Sequence, residues 1–228
     1  MALQKTIVCL ANSRKHFGRC IAGKELLQEG YGKWIRPVSA RPTEELSDAD
    51  RRYEDGSLPK VLDIIEIEMI EAVPQMCQTE NHLIDPRYCW KKRDSLSWAA
   101  VKQLVDKPAP LWLSFESSRN GLNDRVNLEI ASKVTHSLTL IEPRNLIIKV
   151  ATERKEFGTP KRRIRAEFSH FNTYYSLTVT DPVAEEKFFQ KPDGKYPMTD
   201  TYLCVSLGEP FKGYRYKLVA TVINRQFL

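Results

Sequence analysis

The chain has 228 residues, of which 42% are hydrophobic and 28% charged, and its formal net charge is +6. This composition predicts a globular protein with a real core and excludes a disordered or fibrous chain. No apolar run approaches the ~20 residues of a membrane span, and the first residues lack the pattern of a secretory signal, so we expect a cytoplasmic protein. The five cysteines have no regular spacing, which argues against a disulfide framework. The positive charge favours an anionic partner such as nucleic acid.

The first part of the chain reads as short β-type runs followed by a helix and a stronger strand. Three short strands are predicted, over residues 6–11, 19–22 and 34–38. A helix is predicted over 43–53, with Thr43 as its N-cap and acidic residues in its first turn. The aliphatic run over 61–70 predicts the next strand. The order β-β-β-α-β is that of an OB-like barrel.

The middle of the chain is less regular and predicts an insertion into the first barrel at about residues 75–123. Its predicted parts are a loop over 77–93, a helix over 96–106, an edge strand over 111–115 and a turn-rich loop over 117–123. The segment 126–140 is predicted to close the first barrel and lead into the second.

The C-terminal part has the clearest pattern. The predicted strands cover 138–152 with a bend at 142–144, then 162–169, 173–180, 201–207 and 214–223. Asp181 precedes Pro182, which predicts an N-cap for a helix over 183–190. The order β-β-β-α-β-β is again that of an OB-fold, whose second and third strands commonly carry a face for oligonucleotides.

We therefore predict a mainly β protein with minor α: two tandem five-stranded OB-like barrels that pack together. The predicted domains are 1–135, which includes the insertion, and 136–228. No low-complexity tract or flexible linker separates them.

The second predicted strand of the C-terminal barrel carries a run of basic residues. Alternation places Ile164 in the core and Arg163 and Arg165 on the outer face, and it places Tyr174 outward on the next strand. Arginine neutralises phosphate and an aromatic ring stacks a base, so these three residues are candidates for binding single-stranded nucleic acid. The alternative is a solvated surface on which arginines cluster by chance.

Two further basic groups are candidates for the same ligand. The N-terminal group, from the first turn and the third strand, comprises Arg14, Lys15, Trp34 and Arg36. The C-terminal group, near the last hairpin, comprises Lys212, Arg215 and Lys217. The alternatives are that Trp34 is a core residue with Ile35 outside, and that the C-terminal group only reflects hairpin chemistry.

Metal and nuclease sites are weaker hypotheses. Cys77, His82 and Cys89 have the wrong spacing for zinc and lack a fourth ligand, so we expect no metal and no cofactor. A nuclease would gather carboxylates around Mg²⁺, but alternation puts Asp63 on the face opposite Glu66 and Glu68. No phosphate-binding loop, zinc-protease motif or nucleophile elbow is present.

Several strings at both ends of the chain resemble one family. They are Asn-Ser-Arg-Lys at 12–15, Arg-Cys-Ile-Ala-Gly at 19–23, Lys-Trp-Ile-Arg-Pro-Val at 33–38, Leu-Cys-Val-Ser-Leu-Gly-Glu-Pro-Phe at 203–211 and Tyr-Lys-Leu-Val-Ala at 216–220. With these the chain resembles the dual OB-containing domain of prokaryotic conflict systems. The resemblance implies two OB-like barrels that recognise nucleic acid in antiviral defence. It carries no catalytic residues.

We therefore expect a non-catalytic protein that binds single-stranded or structured RNA or DNA, as a sensor or accessory module in prokaryotic antiviral defence. The alternative is an adaptor that docks a defence effector protein, and a metal-dependent nuclease comes third. The residues leave open whether RNA or DNA binds, and which barrel binds it.

Overall fold

The computed structural model describes residues 3–107, 109–113, 115–153 and 159–228. The chain divides into two compact units. The first comprises Met1–Val105, Thr135–Ser137 and Leu228, and the second comprises Asp106–Val134 and Leu138–Phe227. The sequence placed the division at 135/136, about 30 residues later, because it assigned the whole irregular segment to the first barrel.

Strands dominate the described part of the first unit. In chain order its elements are β1 (Leu3–Lys15), β2 (Gly18–Leu26), β3 (Tyr31–Val38), α1 (Asp48–Arg51), β4 (Asp63–Ala72), β5 (Asn81–Ile84), β6 (Lys91–Ser95) and a 3₁₀ helix (Trp98–Leu104). The strands pair in the order β1-β2-β3-β5-β4, and β4 pairs back to β1, so the sheet closes. The β3–β5 pair is parallel and the other pairs of the ring are antiparallel. This is the predicted five-stranded OB-like barrel.

The core of the first barrel follows from alternation on its two longest strands. Ile7 and Cys9 of β1 and Ile65 and Ile67 of β4 are buried in one cluster. The wall of the barrel also needs glycine at position 23, because a Cβ atom there would lie 2.1 Å from the carbonyl oxygen of Val8. The register shift of β1 between Cys9 and Ala11 lies close to this point of close approach.

Two local predictions for the first unit are wrong. The helix predicted over 43–53 is the single turn α1, because Ser47 forms a capping box with Asp50. The preceding Leu46 instead exchanges backbone hydrogen bonds with Arg19 of β2. The predicted loop 77–93 contains β5 and the first three residues of β6, and β5 completes the barrel between β3 and β4.

The described part of the second unit is also built mainly from strands. Its elements are β7 (Arg125–Asn127), α2 (Leu128–Ala131), β8 (Leu138–Ile141), β9 (Arg144–Glu153), β10 (Lys161–His170), β11 (Thr173–Val179), α3 (Pro182–Phe189), β12 (Gly194–Pro197), β13 (Thr201–Phe211), β14 (Tyr214–Asn224) and a 3₁₀ turn (Arg225–Phe227). The order in the sheet is β12-β9-β10-β11-β14-β13-β8, with β11–β14 parallel. Because β12 and β13 follow each other along the chain, they act as one bent strand that closes the second OB-like barrel.

The interior of the second barrel agrees with the predicted alternation. Ile164, Ala166 and Phe168 of β10 are buried, as are Tyr175 and the other inward residues of β11. The Phe168 and Tyr175 rings stack with centroids 5.5 Å apart. The predicted N-cap of α3 is confirmed, because Asp181 accepts hydrogen bonds from the backbone N–H groups of Val183 and Ala184.

The prediction that 126–140 closes the first barrel is wrong. The β7 strand pairs with β14 and the β8 strand pairs with β13, both in the second barrel, because β1–β4 pairing already closes the first barrel. The predicted edge strand 111–115 is not formed by its described residues. Trp112 has a positive φ of 45°, which interrupts an extended run, and Ser114 lies outside the described residues.

Candidate nucleic-acid interface

The outer face of β10 and β11 is assembled by the pairing of neighbouring strands. Arg165 of β10 lies opposite Thr178 of β11 on one side and opposite Lys149 of β9 on the other. Lys149 in turn lies opposite Lys195 of β12. Cross-strand partners point to the same face of a sheet, so four strands contribute polar side chains to one surface.

Arg165 is not open to solvent, so the prediction that its side chain is exposed on the outer face is wrong. It is only 7% exposed, and its Nε atom lies 2.5 Å from Oε1 of Glu153. Its Nη1 atom lies 3.9 Å from Oδ2 of Asp124, beyond hydrogen-bond distance, and this buried atom has no hydrogen-bond partner among the described residues. The β9 strand and the segment before β7 bring in the two carboxylates that the alternation of β10 could not reveal.

Arg165 lines a pocket of about 350 Å³ on this face. The pocket is lined by Asn120, Glu153, Lys161, Arg163, Arg165, Thr178, Thr180 and Leu218. These residues come from the segment before β7 and from strands β9, β10, β11 and β14, together with Thr180 just after β11. The pocket is therefore a product of the second unit's tertiary structure.

Arg163 and Lys161 lie on the same side of β10 as Arg165, and both differ from it in their surroundings. Arg163 is half-buried and Lys161 is exposed. Neither forms an ion pair or a side-chain hydrogen bond with any residue in the described ranges. Three cationic side chains, Lys161, Arg163 and Arg165, thus line a single pocket, which is a setting for an anion.

The rest of the face carries both charge and an aromatic ring. Glu167 is buried between two lysines, with Lys195 Nζ 3.0 Å from its Oε2 and Lys149 Nζ 3.6 Å from its Oε1. Tyr174 is 42% exposed, as predicted from alternation. Burial and, to a smaller extent, the charge of Glu167 raise the pKa of Tyr174, so its phenol is neutral at physiological pH.

The C-terminal group does not form one basic patch. Arg215 is buried, with its Nη1 donating to the carbonyl of Gly208 at 2.8 Å, and Lys217 is 1% exposed. Burial lowers the pKa of Lys217 to about 8, and the charge of Asp124 opposes this shift. The expectation that both are available at the surface is wrong, because they occupy the inward positions of β14. Lys212 is exposed at the hairpin tip, 5.6 Å from the Phe211 ring centroid.

The N-terminal group is also divided. Arg36 is 3% exposed and pairs with Glu80 at 3.0 Å, so its predicted exposure is wrong. Lys15 lies 3.5 Å from Glu44, and Arg14 is exposed. Trp34 is half-buried under Lys24, whose Nζ lies 5.7 Å from the ring centroid. The alternative that Ile35 points outward is wrong, because Ile35 is 4% exposed.

Several residues of the face were not among the candidates taken from the sequence. Lys149, Lys195 and Asn120 reach it only through strand pairing or a loop, and no periodicity within β10 signals them. Lys161 was visible as the first residue of the basic run.

Phe17 of the first unit, fully exposed at the β1–β2 turn near Lys15, was also overlooked, although aromatic residues at such turns can stack bases.

Within the described ranges, no group of three or more His, Cys, Asp or Glu side chains is arranged to hold a metal ion. Cys77 and Cys89 are not joined in disulfide bonds, and His82 Nδ1 lies 2.9 Å from the carbonyl oxygen of Glu80. No helix in the described part of the chain has the length and apolar character to cross a membrane.

Two closed five-stranded barrels, each with a helix between its third and fourth strands, define a tandem OB-fold protein. The sequence model of the dual OB-containing domain matches residues 5–222, and the chain belongs to that family. Comparisons with curated proteins and with solved structures found no match.

Proposed function

We propose that this protein is a non-catalytic binder of single-stranded or structured nucleic acid, and that the outer face of β10 and β11 is its binding surface. The observation that carries the proposal is the pocket lined by Lys161, Arg163 and Arg165, in which Lys161 and Arg163 have no partner among the described residues. In OB-folds the corresponding strands form the usual face for oligonucleotides.

The aromatic residue on this face supports a single-stranded ligand. Tyr174 and Thr178 lie four residues apart on β11, so their side chains point to the same face of the sheet. Thr178 lines the pocket, and the Tyr174 ring and the pocket therefore belong to one surface. A strand rises about 3.3 Å per residue, which separates the two by about 13 Å. Unpaired bases can stack on such a ring at about 1–3 kcal/mol each, whereas the bases of a duplex are already stacked.

Replacing both Lys161 and Arg163 with glutamine should weaken binding of a single-stranded oligonucleotide by about tenfold or more, because the variant cannot form charge-assisted hydrogen bonds to phosphate. Fluorescence anisotropy over a salt series measures the effect. The slope of log affinity against log salt should flatten by about 0.7 for each phosphate that the variant no longer neutralises. Lys133→Gln is the matched control, since Lys133 is an exposed lysine of the same unit outside the pocket.

Equal affinities and slopes for the double variant and the wild type would contradict the assignment of the pocket. An absence of salt-sensitive binding to any RNA or DNA would contradict the function itself.

An adaptor role is the second candidate, and exposed apolar side chains favour it. Leu113, Phe115 and Phe171 of the second unit are 69%, 70% and 52% exposed. An adaptor would co-purify with a partner protein and show no affinity for oligonucleotides. The proposed setting, prokaryotic antiviral defence, rests on the resemblance of the terminal motifs. It would be tested by phage challenge of cells with and without the gene.

A nuclease is the third candidate and has the least support. Asp63 is buried and accepts hydrogen bonds from Tyr53 and Ser95, while Glu66 pairs with Arg93 at 2.6 Å. These carboxylates stabilise the first barrel through partners in their own chain. Degradation of an oligonucleotide with Mg²⁺ that stops on Glu66→Ala would favour this role.

A further inference from the structure

The pocket on the second barrel has a fixed positive charge in its wall. Glu153 holds Arg165 through Nε, with Nη2 3.3 Å from Oε2 of the same carboxylate, so the guanidinium plane is fixed. The third nitrogen, Nη1, is buried without a hydrogen bond among the described residues. This nitrogen lies on the side of Asp124, so Arg165 contributes a fixed positive charge to the pocket, and the hydrogen-bond donors for a ligand come from its neighbours.

Further donors surround the same space. Thr178 lies directly opposite Arg165 across the β10–β11 pair, and its side chain lines the pocket together with Arg163. Lys161 is exposed at the start of β10, so the pocket has an open mouth as well as a buried end. An oxyanion with several oxygens, such as a phosphate group, can meet these donors from more than one direction.

The charges around the pocket indicate how much negative charge it accommodates. Among the described residues, three cations (Lys161, Arg163 and Arg165) face two carboxylates, because Glu153 lines the pocket and Asp124 lies behind Arg165. The formal net charge of these five side chains is therefore +1. A phosphodiester carries one negative charge, whereas a terminal phosphate monoester carries about −1.5 to −2 at pH 7.

We propose that this pocket holds one internal phosphodiester of a nucleic-acid chain that passes across it, and that it does not select a terminal phosphate monoester. The inference rests on the proposed function and deepens it. A single charge balances the pocket, while a second one would be placed close to the carboxylates of Glu153 and Asp124. Recognition is through the backbone, so it is independent of base sequence at this position.

Four short single-stranded oligonucleotides of one sequence test the inference. They combine a normal or an uncharged methylphosphonate backbone with a 5′-hydroxyl or a 5′-phosphate. Anisotropy competition is measured on the wild type, on Arg163→Gln and on the control Lys133→Gln. With the normal backbone, the 5′-phosphate should change affinity less than about twofold, and the uncharged backbone should bind at least about tenfold more weakly with either end. Arg163→Gln should weaken only the ligands with the charged backbone.

The outcomes separate the inference from the proposed function. The uncharged oligonucleotide could bind strongly only when it carries a 5′-phosphate, and this binding could be lost in Arg163→Gln. That result would contradict the inference, because it would show that the pocket binds the end of a chain. Equal effects of Arg163→Gln on charged and uncharged backbones would show that the pocket does not contact phosphate. If no oligonucleotide binds with either backbone, the proposed function fails together with the inference.

Discussion

Replacing Glu80 with alanine is expected to lower the free energy of unfolding of the first barrel by about 3–5 kcal/mol, because it leaves a buried guanidinium without its counter-charge. Glu80 and Arg36 are 5% and 3% exposed, and Glu80 Oε1 lies 3.0 Å from Arg36 Nη2. Glu80 also accepts a hydrogen bond from the hydroxyl of Ser137. Desolvated charges interact strongly and cost most when one partner is removed.

The surroundings of this ion pair make its removal difficult to compensate. Arg36 Nη2 also donates to Ser137 Oγ at 2.8 Å, and its Nη1 donates to Asn81 Oδ1 at 3.2 Å. Arg36 Nε and Glu80 Oε2 have no hydrogen-bond partner among the described residues. The cluster therefore already contains unsatisfied polar groups. In Glu80→Ala, only the hydrogen bonds to Ser137 and Asn81 would remain to stabilise the buried charge of Arg36.

Chemical denaturation followed by tryptophan fluorescence measures the effect. Of the four tryptophans, Trp34, Trp90 and Trp98 lie in the first unit, so the signal reports mainly on that unit. Glu71→Ala is the matched control, because Glu71 is an exposed carboxylate of the same unit and its removal should cost less than about 0.5 kcal/mol.

Combining Arg36→Met with Glu80→Leu should recover much of the stability, since both buried charges are then absent. The prediction is contradicted if Glu80→Ala is as stable as the wild type. If Arg36→Met also fails to bind oligonucleotides, Arg36 is a residue that binds the ligand.

Replacing Lys217 with methionine is expected to raise the free energy of unfolding at pH 7 by up to about 3 kcal/mol. Lys217 is 1% exposed, beside Asp124 and with its Nζ 5.4 Å from the Tyr175 ring centroid. Burial lowers the pKa of this amine from 10.5 to about 8 in the folded chain. One pKa unit corresponds to about 1.4 kcal/mol, so keeping this ammonium charged in the fold is costly. Methionine retains most of the apolar stem and removes the charge.

The pH dependence gives this prediction a definite sign. Between the folded-state pKa of about 8 and the unfolded-state pKa of about 10.5, the unfolded chain binds the additional proton. Wild-type stability therefore rises with pH across this window relative to the variant. The full cost is present below pH 8, and the difference between the two proteins should shrink by about 2 kcal/mol from pH 7 to pH 10.

Denaturation of wild type and Lys217→Met at a series of pH values measures this difference. Lys133→Met serves as the control, because its exposed side chain should give a small difference that does not change with pH. A Lys217→Met variant that is less stable than wild type at every pH would show that the ammonium group stabilises the fold.

The C-terminal barrel was predictable because its signals are local. The alternation of β10 and β11 and the Asp181-Pro182 cap each identify an element without reference to the rest of the chain. The first barrel was predicted in outline and misread in detail. Its fifth strand, Asn81–Ile84, has four residues and no alternation, and it is a strand because β3 and β4 pair with it.

In the candidate site, too, some features follow from the local sequence and others depend on residues distant in the chain. The sequence alone determined which residues of each long strand point inward, because side chains alternate strictly along a strand. Arg163 and Arg165 are equivalent by this rule, yet one is half-buried without a described partner and the other is held by Glu153.

Only the tertiary structure decided between these two arginines. Burial and charge pairing depend on strands and loops that lie distant in the sequence. Asp124 approaches Arg165 from the segment before β7, and Glu153 approaches it from β9. The same applies to Arg36, Arg215 and Lys217, whose charges lie inside the protein because partners elsewhere in the chain cover them. Electrostatic environment is a property of the folded surroundings, whereas strand periodicity is a property of the chain.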